Sequence, residues 1–211
     1  MTLQPLMLSV FQRVAGVDDV TAGTGGKGTP HCVFCGGRIG SDLAHLLDDS
    51  EELSSCALCY LVRHLDRPRI DDEALLIWLP EMSQPALHCL MRTIHCRLRV
   101  LGETLDVRAS PLLDTEDRPV LWHAQQALLG RTETATARLG SARPSDLADA
   151  LLRLSAPAYQ ARRRSLGGLR LLPRGHFFAG DSDVYSAIVD AWRNLATNAT
   201  APAPGAAGEG G

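Results

Sequence analysis

Two Cys-x-x-Cys pairs constrain this chain more than any other feature of its sequence. Cys32 and Cys35 form the first pair, which two glycines follow, and Cys56 and Cys59 form the second pair after twenty intervening residues. This spacing is typical of a four-thiolate zinc site in which each pair closes a tight turn. Four thiolates fill a zinc tetrahedron and leave no position for substrate. The sequence therefore predicts one structural zinc ion held by Cys32, Cys35, Cys56 and Cys59.

Two other uses of the cysteines stay open, a redox dithiol and a disulfide framework. Disulfides are disfavoured because a chain of 211 residues, 45% of them hydrophobic, can build its own core. Cys89 and Cys96 lie seven residues apart in an apolar helical pattern. We interpret this pair as buried packing residues.

Composition excludes some classes of function. The net charge of −3 argues against a protein that binds nucleic acid through its overall charge. No apolar run reaches the length of a membrane span, and residues 1–14 lack the basic start and cleavage site of an export signal. We therefore expect a cytoplasmic protein.

Changes in composition suggest four segments. Residues 1–30 are expected to form an N-terminal strand, over 6–14, and a flexible loop rich in glycine. Residues 31–66 are the predicted four-cysteine zinc module, and 67–198 a helical domain packed on it. Residues 199–211 contain mostly alanine, proline and glycine, which predicts a disordered tail.

Hydrophobic periodicity predicts an α+β fold that is predominantly helical. The apolar run over 74–79 predicts a buried strand, and Ser83 and Gly102 bracket the clearest helix. Further helices are expected over 118–128, resuming after Gly130, then from Pro144, and over 183–195. Another should begin near Ser50 and carry Cys56 and Cys59 on one face. Residues 156–174 are expected to be basic and irregular.

Several motifs resemble a known family. Residues 32–36, 44–49 and 56–59 with His64 resemble the zinc-bearing half of an HNH-like module. The segment 77–84, Ile-Trp-Leu-Pro-Glu-Met-Ser-Gln, with Leu87, Leu90 and Arg92, resembles the IcmJ/DotN proteins of type IVB (Dot/Icm-like) secretion systems. The segment 171–178, Leu-Leu-Pro-Arg-Gly-His-Phe-Phe, is similar to that family's C-terminal signature.

The resemblance covers roughly residues 30–195 and implies a treble-clef/HNH-like zinc knuckle with a helical C-terminal part. It also implies a non-enzymatic adaptor. Members of this family dock on a coupling ATPase (DotL-like) with other coupling-complex subunits, and the complex gathers effector proteins for export. The expected location is then the cytoplasm, peripheral to the inner membrane through the complex. Neither a small-molecule substrate nor nucleic acid is expected as a partner.

The HNH likeness raises an endonuclease as the alternative function. His45 stands at the position of the general base, but Ala44 and Tyr60 occupy positions where metal ligands are expected. One base without a metal cluster cannot activate water for phosphodiester hydrolysis. His45 is therefore interpreted as a packed or zinc-adjacent residue, and His64 remains an alternative zinc ligand. A zinc-dependent nucleic-acid-binding module is the third possibility.

Two features in the C-terminal part are candidates for docking. Arg162, Arg163 and Arg164 form a basic run that is most often a solvated loop. Four of the chain's ten aromatic residues lie between Phe177 and Trp192, and we interpret them mainly as core. If the family resemblance holds, this aromatic segment and the arginines are the expected surface for an acidic segment of the ATPase. Four further histidines show no ligand spacing with one another. We interpret His88, His95, His123 and His176 as ordinary helix or surface residues.

Overall fold

The computed structural model describes residues 3, 5–10, 31–39, 45–46, 54–110 and 118–200, with the backbone alone at 45–46, 54, 118 and 197–200. Helix accounts for 53% of these residues and strand for 11%, which confirms a mixed and predominantly helical fold. The helices are α1 (Ala57–Arg63), α2 (Ile70–Glu73), α3 (Gln84–Leu101), α4 (Arg118–Leu129), α5 (Arg131–Leu139), α6 (Pro144–Leu152), α7 (Ala156–Ala161) and α8 (Tyr185–Thr200). The strands are β1 (His45–Leu46), β2 (Ser54–Ser55), β3 (Ala74–Trp78), β4 (Leu169–Pro173), β5 (Phe178–Ala179) and β6 (Ser182–Asp183).

A two-stranded antiparallel sheet of β3 and β4 lies at the centre of the fold. Ala74 pairs with Pro173 at one end and Trp78 with Leu169 at the other. Helices α5 and α6 pack against β3, and α3 packs against β4. The sheet is therefore covered by helices, which is why its strands are almost continuously apolar.

Helix α3 has the boundaries that its sequence predicts. The Ser83 hydroxyl accepts a hydrogen bond from the Ala86 amide, and Gly102 ends the helix with a φ of 72°. Proline at the second helical position fits the first turn, where an amide hydrogen would have no partner in the helix. The helix buries one face, made of Gln84, Leu87, His88, Met91, Ile94, His95 and Leu98.

One hydrophobic cluster joins the predicted zinc module to the helical part. Its buried members run from Leu8 through Phe34 and Leu61 to Leu171 and Trp192. The 31–66 and 67–198 segments therefore share a core. None of the helices in the described part of the chain is both long enough and apolar enough to cross a membrane.

Two expectations about the N-terminal half need correction. Residues 6–10 are not a strand; two hydrogen bonds, Ser9 amide to Val62 carbonyl and Leu65 amide to Ser9 carbonyl, hold this segment beside the end of α1. The helix expected from Ser50 begins only at Ala57, because residues 54–55 pair with 45–46 as strands. Residues 11–30, including the glycine-rich loop, lie outside the described residues, as does the predicted tail beyond residue 200.

The composition of residues 156–174 suggested an irregular segment, but most of this segment has regular structure. It contains α7, a 3-10 turn at Arg162–Arg164 and strand β4. Strand β4 is only five residues long, and its stability depends on pairing with β3, almost a hundred residues earlier. Local sequence patterns carry little information about such a distant partner.

A buried ion pair fixes the turn before β3 to the segment after β4. Arg67 Nε and Nη2 each donate to the Glu73 carboxylate at 2.8 Å, and Nη2 also donates to the Phe178 carbonyl. The Phe178 amide donates to Glu73 at 2.7 Å, and the Glu73 side chain has no solvent exposure. Each oxygen of the carboxylate thus has a donor, as a buried charge requires.

We predict that Glu73→Gln lowers the free energy of unfolding by roughly 3–5 kcal/mol, because it leaves the Arg67 guanidinium buried without a counter-charge. Asp72→Asn is the matched control. Its ion pair with Arg69 is about half exposed, so the loss should stay below about 1 kcal/mol. Urea denaturation followed by circular dichroism measures both. Equal losses in the two variants would contradict this account of the buried pair.

Candidate metal centre

The first cysteine pair lies in a tight turn closed by its own backbone. The Gly36 amide donates to the Cys32 carbonyl at 2.9 Å, and the Cys32 amide to the Gly37 carbonyl at 2.8 Å. Gly36 has a φ of 71°, a conformation that side-chain-bearing residues rarely adopt. His31 and Arg38 pair across the base of the turn. Glycine at position 36 thus allows the chain to turn back past the two sulfurs.

The second pair lies at the start of α1. Cys56 is the N-cap residue with an extended backbone, and Cys59 follows in the first helical turn. The helix places both sulfurs at its N-terminal end, where the partial positive charge of the amides favours thiolates. The β1–β2 hairpin immediately precedes Cys56 and connects the second pair to the first.

The four sulfur atoms of Cys32, Cys35, Cys56 and Cys59 all lie within 4.8 Å of one another. Cys35 and Cys56 have an Sγ–Sγ distance of 3.7 Å, close to the separation of about 3.8 Å that a tetrahedron of Zn–S bonds near 2.3 Å imposes. Three of the four residues are buried and Cys35 is partly exposed. Number, spacing and donor type all fit a metal ion that prefers four thiolates.

Electrostatics within the cluster also favour a cation. Hydrogen bonds from Cys35, and then from Cys56 and Cys59, lower the pKa of Cys32. Their interactions with Cys32 and Cys35 raise the pKa values of Cys56 and Cys59, and burial raises them further. Without a positive charge, a second thiolate in this space would meet both repulsion and desolvation. A divalent metal removes that obstacle, because it stabilises all four thiolates together.

His88 on α3 contacts this cluster from outside. Its Nδ1 lies 3.3 Å from Cys59 Sγ, and its Nε2 lies 2.8 Å from Gln84 Nε2. The Gln84 side chain is itself fixed, since Oε1 accepts from the Leu171 amide and Nε2 donates to the Leu171 carbonyl. Gln84 can only donate to His88 Nε2, so the ring proton lies on Nδ1 and points at the sulfur. Burial lowers the pKa of His88 to about 3, which keeps the ring neutral.

His88 and His95 both lie in helix α3, as a helix interpretation requires, but they are buried and are not surface residues. His95 is also fully buried, and its Nδ1 is hydrogen-bonded to the Tyr185 hydroxyl at 2.6 Å. The signal was present in the sequence: helical spacing from Leu87 and Met91 puts both histidines on the apolar face of α3. What the spacing could not give was the identity of the partners, which come from α1 and α8.

His64, the alternative zinc ligand, does not join the cluster in the described part of the chain. His64 is the C-cap residue of α1, and its ring stacks on Tyr60 at 3.8 Å between centroids. The group of close metal-ligating atoms found among the described residues contains the four cysteines and not His64. The backbone of His45 lies in β1, but its side chain lies outside the described residues.

Two predictions about the remaining cysteines and aromatics can be compared with the structure. Cys89 is exposed on α3, so its interpretation as buried was wrong, whereas Cys96 is partly buried against the core. Phe177, Tyr185 and Trp192 are almost completely buried, which confirms their role in the core. These three rings are not available to a partner, whereas Phe178, the fourth aromatic of the expected docking surface, is partly exposed in β5.

The chain matches no protein-family model, and a comparison with curated proteins finds none that is significantly similar. The fold and the site therefore define a mixed, mainly helical protein with a candidate four-cysteine metal centre.

We predict that His88→Leu weakens metal binding by roughly 10- to 100-fold, because the Cys59 sulfur loses its N–H donor. His88→Asn, whose amide can still donate, should recover part of the affinity. Competition with a chromogenic chelator measures the dissociation constants, and circular dichroism at saturating metal shows whether both variants fold. An unchanged affinity in a folded His88→Leu variant would mean that His88 only fills space.

Proposed function

We propose that the metal is zinc, that there is one ion per chain, and that its role is structural. The four sulfur donors support zinc because a borderline-soft ion accepts a complete thiolate tetrahedron. The order of the elements supports a treble-clef-like module: a cysteine turn, the β1–β2 hairpin, and then α1 with the second pair at its start. A closed shell of this kind has no vacant position at which a substrate could be polarised.

We propose further that the protein is a non-enzymatic adaptor in a coupling complex of a type IVB-like secretion or conjugation system. The observation that supports the non-enzymatic part is the closed and largely buried cysteine cluster, whose residues belong to the main core. The IcmJ/DotN resemblance of residues 77–84 and 171–178 supports the secretion part. In this proposal the protein docks on the cytoplasmic part of a DotL-like ATPase and reaches the inner membrane only through it.

The structure changes which surface the adaptor can offer. Three of the four aromatic side chains proposed as anchors, Phe177, Tyr185 and Trp192, are in the core, while Phe178 is partly exposed. Arg162 is held by hydrogen bonds within the chain. Arg163 and Arg164 remain exposed, with neither in an ion pair among the described residues. Arg163 and Arg164 are therefore the two arginines of the expected docking surface that remain available to an acidic segment of the ATPase.

We predict one equivalent of zinc in protein purified without chelator, measured by elemental analysis. Cys59→Ser should lose the ion and unfold the module over residues 31–64, because structural zinc binding contributes on the order of 10 kcal/mol. Cys89→Ser is the matched control, since Cys89 is exposed and outside the cluster. Less than half an equivalent in the wild type, or equal zinc in the two variants, would contradict the zinc site.

We predict that the protein binds the cytoplasmic segment of the coupling ATPase encoded in the same genome, and that it leaves DNA intact. Isothermal titration against the purified segment tests the first part. Incubation of plasmid and single-stranded DNA with magnesium, manganese or nickel tests the second. Absence of ATPase binding would remove the adaptor. DNA cleavage that His45→Ala abolishes would establish the endonuclease, and salt-dependent retardation of DNA would favour the nucleic-acid-binding module.

A further inference from the structure

A cavity of about 420 Å³ lies where four parts of the chain meet: the N-terminal segment, the first cysteine turn, the start of α3 and the turn before β4. This volume is in the range of small-molecule sites. Most of its wall is apolar, with side chains that include Leu3, Leu6, Leu8, Phe34 and Leu166. The cavity is separate from the sulfur cluster, although Phe34 lies between Cys32 and Cys35 in sequence.

Three arginines, Arg162, Arg163 and Arg170, line the same cavity. Arg162 donates to the Leu8 carbonyl and the Ser9 hydroxyl, and Arg170 donates to the Met82 and Gly167 carbonyls. These acceptors are neutral.

In the described part of the chain these three arginines are not in ion pairs, although the Glu81 carboxylate lies near enough to Arg170 to stabilise its charge. Burial lowers the pKa of Arg170 in spite of the opposite effect of Glu81, so its charge is only partly compensated. An anion in the cavity would relieve this imbalance.

The start of α3 adds to the positive potential. Ser83, Gln84 and Pro85 line the cavity, and they are the N-cap and first two residues of an 18-residue helix. The N-terminal end of a helix carries a partial positive charge that favours an anion. The arginines and the helix end thus supply the same sign of charge at one apolar cavity.

Together these features specify the chemistry of a ligand. Arg162 and Arg170 already donate hydrogen bonds within the chain, whereas Arg163 is exposed and has no hydrogen bond to another described residue. One available guanidinium group suits a small anionic group. The guanidinium group matches a carboxylate in a bidentate pair. The wall is mainly aliphatic and holds one aromatic ring, Phe34, so it suits an alkyl chain better than a stacked base. We propose that this cavity binds an aliphatic monocarboxylate, with the chain against the leucines and the carboxylate at Arg163.

The proposal is tested with decanoate as the probe, on the full chain with its metal. Isothermal titration should show saturable binding of one decanoate. Octanoate should bind on the order of tenfold more weakly, because each methylene group contributes about 0.8 kcal/mol. Decanol, which has the chain without the charge, should bind more weakly than decanoate. Met7 lines the cavity and Met91 is in the core, so ¹³C-methyl methionine spectra should show a decanoate-dependent shift at Met7 and little at Met91.

Two neighbouring substitutions separate the site from a general charge effect. Arg163→Gln should weaken decanoate binding by about tenfold or more, as expected for loss of a charged hydrogen bond. Arg164→Gln removes the same charge from the next residue, which is also exposed but does not line the cavity, and should bind as the wild type. Equal affinities in the two variants, equal binding of decanol and decanoate, or no saturable binding would overturn the proposal. Binding of an acidic peptide without binding of decanoate would also overturn it, in favour of a protein partner.

Discussion

The structure depends on four sulfur atoms being held in a space that is mostly closed to water. Three of the four cysteines are buried, and the residues beside them, Phe34, Leu58 and Leu61, belong to the main core. Four thiolates so close together would repel one another, and their burial would make each charge costlier. A cation bound as proposed would offset both costs and would make the core and the metal centre one cooperative unit. Loss of the ion would release the first cysteine turn and the start of α1 together.

Helix α3 transmits this constraint to the rest of the fold. His88 contacts the Cys59 sulfur, Gln84 holds His88, and the same Gln84 side chain bonds both backbone groups of Leu171 in β4. Two turns further on, His95 bonds Tyr185 at the start of α8. A single helix thus connects the metal centre, the central sheet and the last helix. Polar side chains on its buried face make these connections, each with a fixed partner, as buried polar groups require.

The sequence was informative where the determinants are local. Ser83 and Gly102 define α3, and the two Cys-x-x-Cys pairs identify the four residues that come together. It was uninformative where an element depends on a distant partner. Strand β4 needs β3, and α1 starts late because the β1–β2 hairpin takes the residues before Cys56. For the same reason the contact between His88 and the Cys59 sulfur was not predicted. It joins α3 to α1, and Gln84 connects it further to Leu171 in β4.

The arginine-lined cavity is separate from the cysteine cluster, but both depend on Phe34 and Gln84, which has a thermodynamic consequence. Phe34 lies within the first cysteine turn and also lines the cavity, while Gln84 lines the cavity and holds His88. A ligand that binds only the folded state stabilises it, and the metal does the same for the same residues. Coupling between two sites is reciprocal. A ligand in the cavity would therefore raise the apparent affinity for the metal by the same factor by which the metal raises the affinity for the ligand. The shared residues make the cysteine turn the element through which such coupling would pass.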